Sequence, residues 1–435
     1  PVPGYVTSDG KTIISQEDIQ KGQAVFQKYA LMEYGSMFGD GAYRGPDYTA
    51  EALHYTATFM NEFYTVQLAK NIDADEEITR LGISGKVKRE IKTNTYDQAT
   101  NTVTLTDGQA DAARKLADYY TQVFTNPDHE QAFSPTGYIT DADEIRTLSA
   151  FFFWGGWVCG VERPEKSYSY THNWPYDPTA GNTPSAAVVI WSIVGSLGLL
   201  IGLGIVLYYH GKLEKLDDTV FTNQAAPLMT SAGVNNFRPT ATQKATYKFF
   251  FAAILLFVVQ VLAGVLTVHD FVGFVNFWGF DISEPLPVTI TRSWHVQLSL
   301  LWISACWIGA SFFVMPMLSP KEPSGQGKLI NAMFVLIVVL VAGSVVGLFI
   351  GPKGIAGEAW YWIGHQGWEY LEPGKVWQGL LYIIFGCWVL ILYRGLKPVM
   401  SRKKPWALPN WLVYATVSIL VLLFSGLMFT PKTNF

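Results

Sequence analysis

The chain has 435 residues, 49% of them hydrophobic, 15% aromatic and only 15% charged. Soluble proteins carry roughly 25% charged residues, so neither a uniform soluble globule nor a disordered chain fits this composition. At roughly 150 residues per domain the length alone suggests about three domains, and a net charge of −4 gives no support to a nucleic-acid partner, which usually shows as a basic patch.

The average hides a division. Residues 1–185 are polar with evenly spread charges, and residues 186–430 are a series of long apolar runs. The opening PVPGYVTSDG lacks the charged and apolar regions of a signal peptide. It also lacks an initial Met, so the chain reads as a mature form or as a piece of something longer. Residues 16–28 have helical spacing, with Ser15, Glu17 and Asp18 marking a helix start. Residues 48–70 are predicted helical, with Leu53, Tyr55, Phe59, Phe63 and Leu68 on one face. Residues 93–106 read as a short hairpin, and 108–125 and 141–155 as helices.

Six apolar segments of spanning length follow, at 186–209, 249–269, 294–315, 329–350, 376–393 and 411–430. Backbone groups in lipid must be satisfied locally, so these are helices. Pro184, Pro316, Pro320, Pro398 and Pro409 are expected at or beyond their ends. The fold class is therefore mainly α: a polytopic transmembrane bundle of six spans over 186–435, preceded by a polar domain over 1–185. The loops joining spans one to two, three to four and five to six hold twelve Lys and Arg, against four (Arg292, Lys353, Lys375 and Lys432) on the other side. The positive-inside rule then turns the polar domain outward, toward the periplasm of a Gram-negative host, in a multi-pass inner-membrane protein.

Cys159, Cys306 and Cys387 are the three cysteines. They form no Cys-x-x-Cys pair, which excludes a cysteine zinc site and a covalently held c-type haem. Of seven histidines only His269 and His295 lie in spans, both at outer ends. Ionisable groups there are costly and usually functional. Arg292 shares a helical face with His295. A histidine ligand with a cation just outside it suits a haem and its propionate, and an interfacial residue beside Trp294 is the plainer alternative. In the loop 351–375, Glu358, Glu369 and Glu372 suit a hard cation, or simply a solvated loop. The turn-rich GDGAYRGPDYT at 39–49 offers carbonyls to such a site. No Walker, GxSxG or HExxH motif occurs.

Taken together, QEDIQKGQAVFQKYALMEYGSMFGDGAYRGPDYT, FFFWGGW (151–157), HNWPY (172–176), LTVHD, TRSWHVQ and GHQGWEYLEPGKVWQ resemble the quinol-dependent nitric oxide reductases of the haem-copper oxidase superfamily, over nearly the whole chain. The resemblance implies an outer domain of cytochrome c type without its haem, since Leu31-Met32-Glu33-Tyr34-Gly35 stands where a cytochrome relative has Cys-x-x-Cys-His. It implies His295 as an axial ligand of a low-spin haem b and Arg292 beside the haem propionates. It implies a calcium ion held by Glu369 with Gly41 and Tyr43, and His269 as a quinol contact. The implied reaction reduces two NO to N2O at a centre of haem b and non-haem iron.

Two departures from that pattern matter. The chain stops at PKTNF, before the helices that carry the iron and high-spin haem ligands, so these are expected beyond Phe435 or on a second chain. The glutamate expected four residues after His269 is Gly273, although Asp270 lies nearby. A degenerate quinol site also resembles the nitric oxide dismutase branch, which would convert two NO to N2 and O2. Two non-catalytic alternatives are a membrane receptor or transporter and a structural subunit whose haem ligands come from a partner. The expected partners are lipid, a quinol, and a homodimer mate or a second chain.

Overall fold

The structure is a computed structural model and describes residues 2–68, 76–213, 237–268, 279, 282–319, 321–367, 372–402 and 408–428. It is mainly helical, with twelve α-helices among the described residues. The chain divides into two compact units: Pro1–Gly195 with His269–Ile290 and Gly367–Glu369, and Ser196–Val268 with Thr291–Gln366 and Tyr370–Phe435.

In the first unit, β1 (Gly4–Thr7) and β2 (Thr12–Ile14) lead into α1 (Gln16–Lys28), whose limits are those predicted. Ser15 caps it. The Ser15 hydroxyl accepts from the Asp18 amide at 3.0 Å, and the Asp18 carboxylate accepts from the Ser15 amide at 2.8 Å. A tight hairpin of β3 (Ser36–Met37) and β4 (Asp40–Gly41) follows. Then come α2 (Tyr48–Leu68), α3 (Glu76–Lys92), β5 (Tyr96–Asp97), β6 (Thr102–Leu105), α4 (Asp107–Thr125) and α5 (Ala142–Gly160).

The expected hairpin at 93–106 is present as antiparallel β5 and β6. It belongs to a larger sheet, however, because β1 pairs parallel with β6 to give the order β2-β1-β6-β5. A four-residue strand whose partner is distant in sequence leaves no local signal. Helix α3 also escaped prediction. Its buried Ile83, Val87 and Ile91 form a stripe one residue wide in a heavily charged segment.

Helix α5 is the centre of this unit. Helices α1, α2 and α4 all pack on it, so Phe151 to Trp157 is buried on every side, as an apolar helix without a polar face requires. Tyr48 stacks on Phe152 at 4.5 Å, and Phe26 meets both rings edge-on. Each such ring contributes about 1.5–3 kcal/mol through burial.

The apolar helices are α6 (Ala186–Leu213), α7 (Ala241–Thr267), α8 (Val288–Leu318), α9 (Gln326–Ile350), α11 (Lys375–Leu396) and α12 (Leu408–Met428), with a one-turn α10 (Trp360–Ile363) before α11. The first five are long and apolar enough to cross a membrane, and the apolar part of α12, Pro409–Leu423, is shorter. Helix α7 starts eight residues before the predicted span because Thr240 and Gln243 form a capping box. Helix α8 starts six residues early because its first turns carry Thr289, Thr291 and Ser293, all fully buried, where a hydropathy scan stops. Pro316, placed at a boundary from sequence, lies inside the last turn of α8.

In the second unit, Phe249, Phe312, Met333, Phe385 and Trp388 form the core between helices. Polar side chains fasten it. Gln243 donates to the Phe313 carbonyl at 3.1 Å, Gln326 to the Ile391 carbonyl at 2.7 Å, and Trp388 to the Ser311 hydroxyl at 2.9 Å. Nothing in the hydropathy window of α6 is buried. Its apolar surface is of the kind that lipid covers.

Candidate functional site

The first turns of α8 carry consecutive polar and aromatic residues, and the helical turn of 100° per residue sends each in a different direction. Ser293 and Gln297, four apart, share one face. The Ser293 hydroxyl lies 2.8 Å from His365 Nε2, and Gln297 donates to Glu372 Oε1 at 3.1 Å. Trp294 turns to α9, where its indole donates to the Val345 carbonyl at 3.0 Å and its ring stacks on Phe349. His295 turns to α7.

His295 Nδ1 lies 2.9 Å from the backbone oxygen of Gln260. The Gln260 carboxamide nitrogen is 3.2 Å from each ring nitrogen. One turn further along α7, a Cβ on Gly264 would fall 2.7 Å from Cε1 and Nδ1 of the imidazole, so the ring occupies the space that a side chain would take. With Nδ1–H donating to that carbonyl, Nε2 holds the ring's lone pair and accepts from the Gln260 carboxamide. A backbone acceptor on one ring nitrogen is also what fixes the tautomer of metal-ligating histidines. Arg292 is half-buried one turn earlier on the same continuous helix. The residues offer a haem an imidazole of fixed tautomer and a cation on the same helical face, with Nε2 open to iron once the Gln260 carboxamide turns off it.

The loop between α9 and α11 corrects the reading of its carboxylates. Glu358 is exposed as a solvated loop would have it, but Glu372 is fully buried. Its Oε2 lies 3.3 Å from Nε2 of His365, which is equally buried. A bridge between His365 and Pro373 holds the two segments together. Glu369, assigned to calcium, lies outside the described residues, as do His269, Asp270 and Gly273.

Gly41 and Tyr43 lie in the N-terminal unit. Gly41 is buried at φ +135°, and a Cβ there would come within 2.6 Å of the Gly35 oxygen, so only glycine fits. Tyr43 is 87% exposed. The turn around them is organised by Asp47. It accepts from the Ser36 hydroxyl at 2.8 Å, the Gly39 amide at 2.7 Å, the Ala50 amide at 2.9 Å and the Thr49 hydroxyl. Among the described residues no three His, Cys, Asp or Glu side chains are grouped as a metal site.

The segment Leu31–Glu33 is a buried 3-10 turn, with Leu31 and Met32 packed into the core. It holds no thiol and no open side chain, so it does not fit a covalent haem.

Three features lay beyond the sequence reading. Gln260 is an amide in the apolar run LLFVVQVLAG, and that isolation was the available signal. The His365–Glu372 pair gave no spacing signal. Glu51 of α2 lines a cavity of about 500 Å³ beside Tyr34, Tyr48 and Phe133. The hydroxyls of Tyr119 and Tyr120 donate to its two oxygens at 2.9 and 3.0 Å. Burial raises its pKa to about 7 against the opposing pull of those hydroxyls.

Residues 244–435 match the family described as cytochrome c and quinol oxidase polypeptide I. The chain is thus an integral membrane oxidoreductase of the haem-copper oxidase type, a class that uses haem and a further metal. Residues 3–176 match the cytochrome c-like domain of the nitric oxide reductase NorB. Together the two matches place the chain in the NorB-like branch: it belongs to the NorB-like haem-copper oxidase family. No curated protein matches the chain.

Proposed function

We propose that this chain is the electron-receiving part of a membrane enzyme that reduces two NO to N2O, with the N-terminal unit facing outward. The observation that carries this reading is His295, its tautomer fixed through Nδ1 on the Gln260 carbonyl, with Arg292 one turn earlier on the same helix. A low-spin haem b bound there supplies one-electron transfer. The chain's own residues orient that ligand, balance propionate charge through Arg292, and exclude water with the apolar walls of α7 and α8. Calcium at Glu369, with Gly41 and Tyr43, belongs to the same reading, supported by the fixed, glycine-only backbone at position 41. Quinol is the electron donor in this reading, with His269 as its contact.

The test is the low-spin haem b spectrum of a His295→Ala protein. The reading expects its loss, and a full spectrum would sink the assignment. A second reading, conversion of two NO to N2 and O2, is favoured by Gly273, where the reductases carry a glutamate. Mass spectrometry of the gas formed from labelled NO separates N2O from N2 with O2.

A further inference from the structure

We propose that the cavity beside Glu51 in the N-terminal unit binds a small primary ammonium ion, with Glu51 as its counter-ion and aromatic rings around its carbon skeleton. The site belongs to a different unit from His295 and is independent of the haem reading.

Local structure builds the cavity. Helix α2 opens at Tyr48, and Glu51 lies one turn in, its amide donating to the Asp47 carbonyl at 2.9 Å. The Gly45 amide donates to the Tyr34 carbonyl at 2.6 Å, and a Cβ at Gly45 would fall 2.4 Å from the Tyr34 ring, so the backbone there lies close against that ring. The chain beyond α4 folds back on its own helix, where the Phe133 amide donates to the Val123 carbonyl at 2.8 Å. The result is a space of about 500 Å³ walled by Tyr34, Tyr48, Phe124 and Phe133. That is the size of a small-molecule site.

Glu51 is the unusual group in it. Tyr119 and Tyr120 donate to its two oxygens at 2.9 and 3.0 Å, and among the described residues no cation acts on it. Buried carboxylates are ordinarily paired with a positive charge. Arg44 also lines the space, but its guanidinium sits over the Tyr34 ring at 5.8 Å. A carboxylate offers about four lone-pair sites, and the two phenols take two of them. The remaining two suit N–H donors, and the rings add attraction for a cation. Other ligand classes fit less well. A hard metal ion takes six or more oxygens, and no three His, Cys, Asp or Glu side chains are grouped among the described residues. An anion would meet Glu51 and Glu130. A quaternary ammonium has no N–H for the free lone pairs.

The test is calorimetric titration of the complete, detergent-purified enzyme with phenethylammonium, and with neutral phenethyl alcohol of the same skeleton. The wild type should bind the ammonium saturably, Glu51→Gln should bind it about tenfold or more weakly, and the alcohol should show no comparable binding. Affinity for the ammonium should rise about tenfold from pH 6 to pH 8 in the wild type, because Glu51, with its pKa raised to about 7, ionises in that interval. Asp47, Tyr48, Tyr119 and Tyr120 surround Glu51, Arg44 and Glu130 line the same cavity, and His129 packs on Tyr119 at 5.4 Å. All of these remain in Glu51→Gln, so the difference between the two proteins isolates Glu51. The proposal is overturned by equal affinity in the two proteins, by alcohol bound as tightly as the ammonium, or by no saturable binding at millimolar ammonium. If Glu51→Gln does not accumulate, the alcohol and the pH dependence decide, and an affinity that is flat across that interval overturns the proposal.

Discussion

His365 and Glu372 face each other with Nε2 and Oε2 3.3 Å apart, and neither side chain has any exposure. The loop that joins α9 to α11 is thus closed from within by a polar pair. Ser293 on one side and Gln297 on the other tie that pair to the head of α8. The four side chains lock the loop to the helix that carries His295.

Glu372→Ala should therefore destabilise well beyond the loss of one surface contact. It removes the acceptor of the buried Gln297 amide, and a buried polar group left without a partner costs about 1–3 kcal/mol, while His365 loses its facing carboxylate and keeps the Ser293 hydroxyl. Glu372→Gln keeps the shape and part of the bonding and should lose less. Thermal unfolding of the detergent-purified protein measures both. A double-mutant cycle with His365→Ala should show coupling above about 0.5 kcal/mol, as groups in direct contact do. Additive losses would mean that the pair is not an energetic unit.

Asp47 is the hub of the turn that presents Gly41 and Tyr43. Replacing it with Ala strands two backbone amides and two hydroxyls at once. Asp47→Ala should speed hydrogen exchange across residues 36–50 while leaving α4 protected. Asp47→Asn, which keeps an acceptor oxygen, should fall between. If the turn is also a calcium-binding element, the same variant weakens the protection that added calcium gives, and chelation of the wild type reproduces the effect.

Much of this architecture was legible because it is local. The Ser15 and Asp18 cap fixed the start of α1, and six long apolar runs announced their helices. What was hidden depends on tertiary neighbours. Glu372 sits in a loop rich in charge and glycine, and only the folded chain shows that His365 and Gln297 take it out of water. The early start of α8 was masked by Thr289, Thr291 and Ser293, which are polar by composition and buried by packing. His295 was singled out because an ionisable residue in a span is conspicuous, and Arg292 because it lies three residues before it. The contacts of His295 with Gln260 and Gly264 were not legible, because they need two helices at once.

Trp294 tests whether the aromatic residue beside His295 is an interfacial anchor or a rotational pin. Its indole donates to the Val345 carbonyl at 3.0 Å, and its ring lies 6.2 Å from Phe349. Trp294→Phe keeps an aromatic ring and removes the donor. It should cost about 1 kcal/mol, the net worth of one such bond, with the haem retained because the His295 contacts lie on another face. No change in thermal unfolding would favour the anchor.

Glu51 gives the N-terminal unit a pH dependence of defined sign. Burial raises its carboxyl pKa from 4.5 to about 7, so between those values the folded state holds a proton that the unfolded chain has released. Stability is greatest below the unfolded value and falls as pH rises toward 7, by up to about 3 kcal/mol at 1.36 kcal/mol per pKa unit. Above pH 7 both states are ionised at this position and the slope ends. Glu51→Gln, which cannot ionise, should flatten the slope and leave the variant more stable than the wild type at pH 8 but not at pH 4.5. Hydrogen exchange of the α2 and α4 amides in the intact protein, followed from pH 4.5 to 8 and corrected for intrinsic rates, measures it. Equal slopes in the two proteins would show that Glu51 does not titrate in this range.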